Sequence, residues 1–141
     1  VPTFEPGRLV ELREGSDATI IATGIGVKAA LDGADVLAAE GVSAQVLDAA
    51  WLKPFDEAGV VAAAQATGEV LTVEEHNPHG GLGSAVGETL ALNGVAARFA
   101  KLALPDGYAL VAPPTHLYRH YGLSGDGVAK AVRALLQRKG G

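Results

Sequence analysis

Within eleven residues, Glu74-Glu75-His76-Asn77-Pro78-His79-Gly80-Gly81-Leu82-Gly83-Ser84 gathers two carboxylates, two imidazoles, three glycines and a hydroxyl. A carboxylate beside an imidazole is the raw material for proton transfer near neutral pH. The same groups offer nitrogen and oxygen ligands to a divalent cation such as zinc. The glycines let the backbone come close to a neighbour or a ligand. Each chemistry has a plainer counterpart. His76 and His79 are spaced i, i+3, but Pro78 between them spoils a helical presentation, and a third ligand would have to come from His116 or His120 across the sheet. Ordinary hydrogen-bonded loop histidines are the better account of the pattern. Ser84 lacks the glycines two residues before and after it that a nucleophile elbow needs, since Leu82 and Val86 stand there.

The elements on either side decide where this run sits. Val70, Leu71 and Val73 around Thr72 read as a buried strand, and the alanines and leucines from Gly83 to Leu92 read as a helix. The run is therefore a strand-to-helix junction, and in an open α/β sheet the crevice at such carboxyl ends takes ligands or partners. Upstream, a short strand or hairpin arm is expected at Leu9 to Leu12. A β-branched run from Ala18 to Ala22 ends at Gly24, and a helical pattern from Val27 to Ala38 stops at Gly41. Val42 to Leu47 reads as the next strand, Phe55 to Ala66 as a helix closed by Gly68, Ala97 to Leu102 as a strand and Val128 to Gln137 as the last helix. The alternation predicts an α/β fold of three layers around a mostly parallel, Rossmann-like sheet of about five strands, with one strand allowed to run antiparallel.

Two other glycine patterns invite functional readings. Gly24-Ile25-Gly26-Val27-Lys28-Ala29, with Asp48 ending the following strand, approaches a dinucleotide fingerprint; a tight structural turn would leave the same glycines. Gly125-Asp126-Gly127 has the opening of a thiamine diphosphate motif but no asparagine pair after it. Asp126 stands just before a helical run, where a carboxylate suits the helix dipole. Trp51, Leu52 and Phe55 around Lys53-Pro54 supply core or an interface patch. Tyr118, His120 and Tyr121 read as the rim of the core.

Composition sets outer bounds. The chain has 141 residues, enough for one core, with 48% hydrophobic residues and a formal charge of −5 without any basic cluster. That pattern argues against nucleic acid and against an anionic membrane as partners. There is no cysteine, which excludes thiolate metal sites and disulfides. No apolar stretch approaches the roughly 20 residues of a membrane-spanning helix. The chain begins at Val1 and lacks methionine, so a piece of a larger protein is expected, with residues 1 to 8 as a linker and residues 9 to 141 as the domain.

Glu74-Glu75-His76 followed by Gly80-Gly81-Leu82-Gly83-Ser84-Ala85-Val86 resembles the C-terminal domain of transketolases, particularly the type divided between two polypeptides. Leu12-Arg13-Glu14-Gly15, Ala18 to Gly24, Leu52-Lys53-Pro54-Phe55-Asp56 and Tyr121-Gly122-Leu123-Ser124 follow in the family's order, so the resemblance covers nearly the whole chain. The chain is similar, more loosely, to deoxyxylulose phosphate synthases and to the β subunits of 2-oxo acid dehydrogenases, which usually carry glycine where His76 stands.

The resemblance implies a domain that packs and assembles rather than reacts. It implies a cytoplasmic parent with thiamine diphosphate and magnesium, working in the pentose phosphate pathway. The cofactor would be held by pyrimidine- and diphosphate-binding domains absent here, and none by this domain. The parent would be a homodimer or a heterotetramer. No catalytic, cofactor or metal residue carries over by position. Glu74, Glu75, His76, His79, Gly80, Gly81, Gly83 and Ser84 become candidates for an interface or an active-site rim. An autonomous module binding a nucleotide or another regulator stays open as a reading of a different class.

Overall fold

In the computed structural model, the described residues are 7–24, 26–50, 55–74, 81–103 and 125–137. They form β1 (Val10–Arg13), β2 (Ala18–Ala22), α1 (Gly26–Ala39), β3 (Ala44–Asp48), α2 (Glu57–Thr67), β4 (Glu69–Glu74), α3 (Leu82–Leu92), β5 (Arg98–Ala103) and α4 (Gly125–Gln137). The five strands lie in the order β1-β3-β2-β4-β5. β1 runs antiparallel to β3, and every other pairing is parallel. The expected three-layer sheet with one antiparallel strand is the fold observed.

Strand alternation sends side chains to two separate cores. Ile20, Ala22, Val46, Leu71 and Val73 face α1 and α4, where Leu37, Val128, Val132 and Leu135 close the layer. Ile21, Leu47 and Val70 face the other way and meet Val60 and Ala64 of α2 and Leu82, Val86 and Leu90 of α3. β2 is buried along its whole length, as a central parallel strand covered on both faces should be. It is also where the topology turns. The chain leaves β2 towards β3 by way of α1 on one face, then reaches β4 on β2's other side by way of α2 on the opposite face.

Helix ends explain where the elements differ from the sequence-based bounds. Gly41, at φ 83°, ends α1, and Val42 donates its N–H to Leu37 O at 2.9 Å. Val42 is thus spent in a Schellman-type closure, so β3 starts at Ala44 rather than at Val42. α2 starts at Glu57, two residues beyond Phe55, because Asp56 caps it: its carboxylate accepts from Gly59 N at 2.9 Å and from Leu9 N at 2.9 Å. α4 starts at Gly125, three residues before Val128, with Asp126 in its first turn. A β-carbon on Gly125 would stand 2.8 Å from Asp32 Cβ, and one on Gly33 would stand 2.7 Å from Val128 Cγ1. The α1–α4 crossing is therefore close enough to demand glycine on both helices.

Candidate functional site

Helix α3 begins without an N-cap oxygen of its own. Gly81 stands at the cap position with φ 86° and ψ −149°, and it makes no side-chain cap bond. The first N–H groups of a helix need acceptors, and here they come from the end of the preceding strand. Glu74 Oε1 accepts from Leu82 N at 3.0 Å, and Oε2 accepts from Gly83 N at 2.5 Å. The carboxylate is 2% exposed. It sits at the positive end of the α3 dipole, where a negative charge is favoured, and it ties the strand end to the helix start eight and nine residues on.

Gly83 makes room for this arrangement. A β-carbon there would lie 2.4 Å from Lys101 Cδ and 3.2 Å from Glu74 Oε2. One turn on, a β-carbon on Gly87 would lie 3.2 Å from Phe99 Cε2, so α3 is pressed onto β5 along its glycine side. Ser84 lies half-buried in the first turn of the helix. Of the eight residues that the sequence marks here, the structure thus brings together Glu74, Gly81, Gly83 and Ser84. Glu75, His76, His79 and Gly80 lie outside the described residues, as do Trp51 to Pro54, His116, Tyr118, His120 and Tyr121.

The other glycine turn is also built for packing. Gly24 adopts φ 55°, and the first two helical N–H groups are used within the turn: Gly26 N donates to Thr23 O at 3.0 Å and Val27 N to Gly24 O at 3.1 Å. A β-carbon on Gly26 would meet Val73 O at 2.7 Å. The bare face of Gly26 is therefore filled by β4. In a dinucleotide fingerprint that space admits a pyrophosphate.

Asp48, at the end of β3, has its carboxyl pushed above the usual aspartate range by burial. A carboxylic acid with a raised folded-state pKa contributes stability that is present at acid pH and is lost as the pH rises through that value. Asp48→Asn is accordingly expected to stabilise the fold at pH 7 and to confer no advantage at pH 3. Solvent reaching the rest of the group keeps the gain below about 1 kcal/mol. Parallel urea titrations of the two proteins at both pH values measure it.

Among the described residues no three His, Cys, Asp or Glu side chains stand close enough to hold a metal ion. Asp126 is exposed on the first turn of α4, and its backbone neighbour Gly125 is closed off against Asp32. No helix among the described residues is long and apolar enough to cross a membrane.

Sequence reasoning missed an ion pair at the opposite end of the sheet. Glu69, 1% exposed, accepts from both Arg98 Nε and Arg98 Nη2, and these hydrogen bonds hold the guanidinium pKa above its usual value. Beside it, Thr19 Oγ1 is 2.9 Å from Thr67 Oγ1 and within reach of Gln45 and Ala63 O. The signal for Glu74 was present in negative form, since Gly81 offers no oxygen where a helix needs one. Glu69 and Arg98, separated by a whole helix and loop, gave none.

A family model described as "Transketolase, C-terminal domain" matches residues 7–128. A 1-deoxy-D-xylulose-5-phosphate synthase of Syntrophotalea carbinolica is 44% identical over 141 residues, covering 100% of this chain and 22% of its own length. A putative transketolase C-terminal section of Methanocaldococcus jannaschii is 35% identical over 137 residues, covering 97% of this chain and 42% of its own. Among solved structures, one titled "Split gene transketolase, inactive beta4 tetramer" matches with a TM-score of 0.87 and 43% identity over 95% of this chain and 44% of that one. The chain thus spans between about a fifth and less than half of the length of these relatives.

Proposed function

We propose, from the premise that this chain belongs to the transketolase C-terminal domain family, that it is the domain on which a thiamine diphosphate-dependent transketolase is assembled, without itself holding the cofactor. The observation that carries this reading is the fate of Glu74. Each oxygen of the buried carboxylate at the junction accepts from a backbone N–H of α3, so the group is engaged at the helix start and shut away from solvent. Two further observations agree. Gly26 packs against β4 where a nucleotide-binding loop would be open, and Asp126 lies within the first turn of α4.

In this reading thiamine diphosphate and magnesium supply the two-carbon transfer chemistry from the pyrimidine- and diphosphate-binding domains of the parent. Glu75, His76, His79 and Gly80, which follow the pinned strand end, belong with Gly81, Gly83 and Ser84 to the contact with those domains. A cytoplasmic parent, its place in the pentose phosphate pathway and its dimeric or heterotetrameric state are part of the same proposal. The solved split-gene relative is named as an inactive tetramer of one kind of chain, which supports a need for further subunits. A second reading, the C-terminal domain of a 1-deoxy-D-xylulose-5-phosphate synthase, is favoured by the 44% identity along the whole chain.

Grafting separates the two. The 141-residue chain replaces the matched segment in the split-gene transketolase and, separately, in the synthase, and each enzyme is assembled with its remaining parts. Two-carbon transfer from a ketose phosphate is expected in the first graft, with no turnover by the chain alone. Activity confined to the synthase graft would favour the second reading. Turnover by the isolated chain, or a folded first graft without activity, would contradict the proposal.

A further inference from the structure

The two helical layers present opposite surfaces. On the α1–α4 side the outer face is charged and self-paired: Lys28 with Asp32, Arg13 with Asp35, and Arg133 with Glu40. That is how a solvated face looks. On the other side, α2 and α3 together contain no lysine or arginine and only two acids, Glu57 and Glu88. α2 is apolar on nearly every side. Val60, Ala63 and Ala64 point into the core, while Ala58, Ala62 and Ala66 are exposed on the outside. A helix apolar all round is normally covered on all sides. Leu92, at the end of α3, is 73% exposed, the one large hydrophobic side chain so placed among the described residues. Along α2 runs an open groove lined by Glu57, Ala58, Val61, Ala62 and Gln65 of that helix and by Asn93 just beyond α3.

We propose that the outer α2–α3 face is the surface by which this domain docks onto the adjoining domain of its parent enzyme, and that the docked surface has an apolar centre rimmed by lysine or arginine. The proposal rests on the reading of the chain as one domain of a larger transketolase. The alanines let a partner backbone come close, and depletion of charge at the centre is the pattern of a buried contact. Charge selects the occupant. A second copy joined by the same face would set Glu57 and Glu88 against helices that carry the same two acids and no lysine or arginine, on a chain that already carries −5. A basic rim neutralises them. The portion of the split-gene relative outside the match, more than half of that chain, is large enough to supply such a domain.

The absence of cysteine makes the test direct. Ala62→Cys on α2 and Asp32→Cys on α1 are labelled with a maleimide in the isolated chain and in the split-gene transketolase graft, and the modified peptides are quantified by mass spectrometry. Docking by this face is expected to slow labelling of Ala62→Cys at least about tenfold in the graft and to leave Asp32→Cys unchanged. Slowing at Asp32→Cys alone overturns the proposal while leaving the domain reading intact. Equal rates at both positions in an active graft overturn the proposal as well, whereas equal rates in an inactive graft count against the domain reading itself. Slowing at Ala62→Cys in the isolated chain with rising protein concentration identifies a second copy as the occupant and also overturns it. Circular dichroism of each variant confirms that the fold is kept, and Leu92→Ser labelled alongside Ala62→Cys is expected to restore part of the lost rate in the graft.

Discussion

Replacing Glu74 by alanine is expected to lower the stability of the fold by about 3 kcal/mol. The carboxylate is 2% exposed and accepts from Leu82 N and Gly83 N. Its removal leaves two helix-terminal donors buried without an acceptor, in a place where Gly81 cannot substitute. Hydrogen bonds to a charged acceptor contribute about 1.5 to 3 kcal/mol each, and the favourable charge–dipole term goes with them. Relief of the carboxylate's own desolvation offsets part of the sum. Glu74→Gln keeps one carbonyl oxygen and turns an amide N–H₂ towards the second donor, so it is expected to lose a similar fraction through repulsion rather than through vacancy. Urea unfolding measures both, with the midpoint falling and the slope unchanged if the denatured state is unaffected. An alanine variant as stable as the parent would mean that water reaches the start of α3.

The second large effect is expected at Gly26→Ala, a loss of about 2 kcal/mol. The new methyl would stand 2.7 Å from Val73 O and 3.1 Å from Val73 C and Cγ1. The carbonyl cannot easily move aside, because it also accepts from Thr23 N at 3.1 Å and lies in the central ladder between β2 and β4. Alanine's higher helix propensity returns less than about 1 kcal/mol at this first helical position, so the net loss is less than the strain. This variant also separates the two meanings of the glycine turn. If Gly26 served a bound nucleotide, alanine would leave the thermal midpoint in place and abolish nucleotide binding. If it serves packing, the midpoint falls and there is no binding to lose, as calorimetry and a titration with adenine nucleotides would show.

What the sequence made legible were the elements whose causes are local. The β-branched run of β2, the glycine stops at Gly41 and Gly68 and the apolar periodicity of α1 each lie within a few residues of the boundary they set. The less legible features depend on distant partners. β4 extends to Glu69 and Glu74, beyond the apolar run Val70 to Val73, since one acid is held by Arg98 and the other by the start of α3. α4 starts early because Gly125 fits under Asp32, a contact that no local pattern encodes. Val42 looks like strand by type, yet its N–H closes the preceding helix.

The candidate site divides in the same way. The residues named at the junction included the one that matters structurally, Glu74, but adjacency to Glu75 and His76 suggested chemistry where the geometry has a cap. Residue types at a βα junction do not distinguish a carboxylate facing solvent from one folded back onto a helix terminus. The register of β4 and the lack of an oxygen at Gly81 do. The apolar outer side of α2 was likewise written in its alanines, but only the position of the helix shows that those alanines are uncovered.

Glu74 serves the start of α3 rather than a reaction. Amide hydrogen exchange at Leu82 and Gly83, followed by NMR in the parent chain and in Glu74→Ala, tests it most directly. Slow exchange at both amides in the parent is expected, with protection lost at these two positions in the variant beyond any change shared with the amides of α1. Rapid exchange at Leu82 and Gly83 in the parent, or protection untouched by the substitution, would contradict the account.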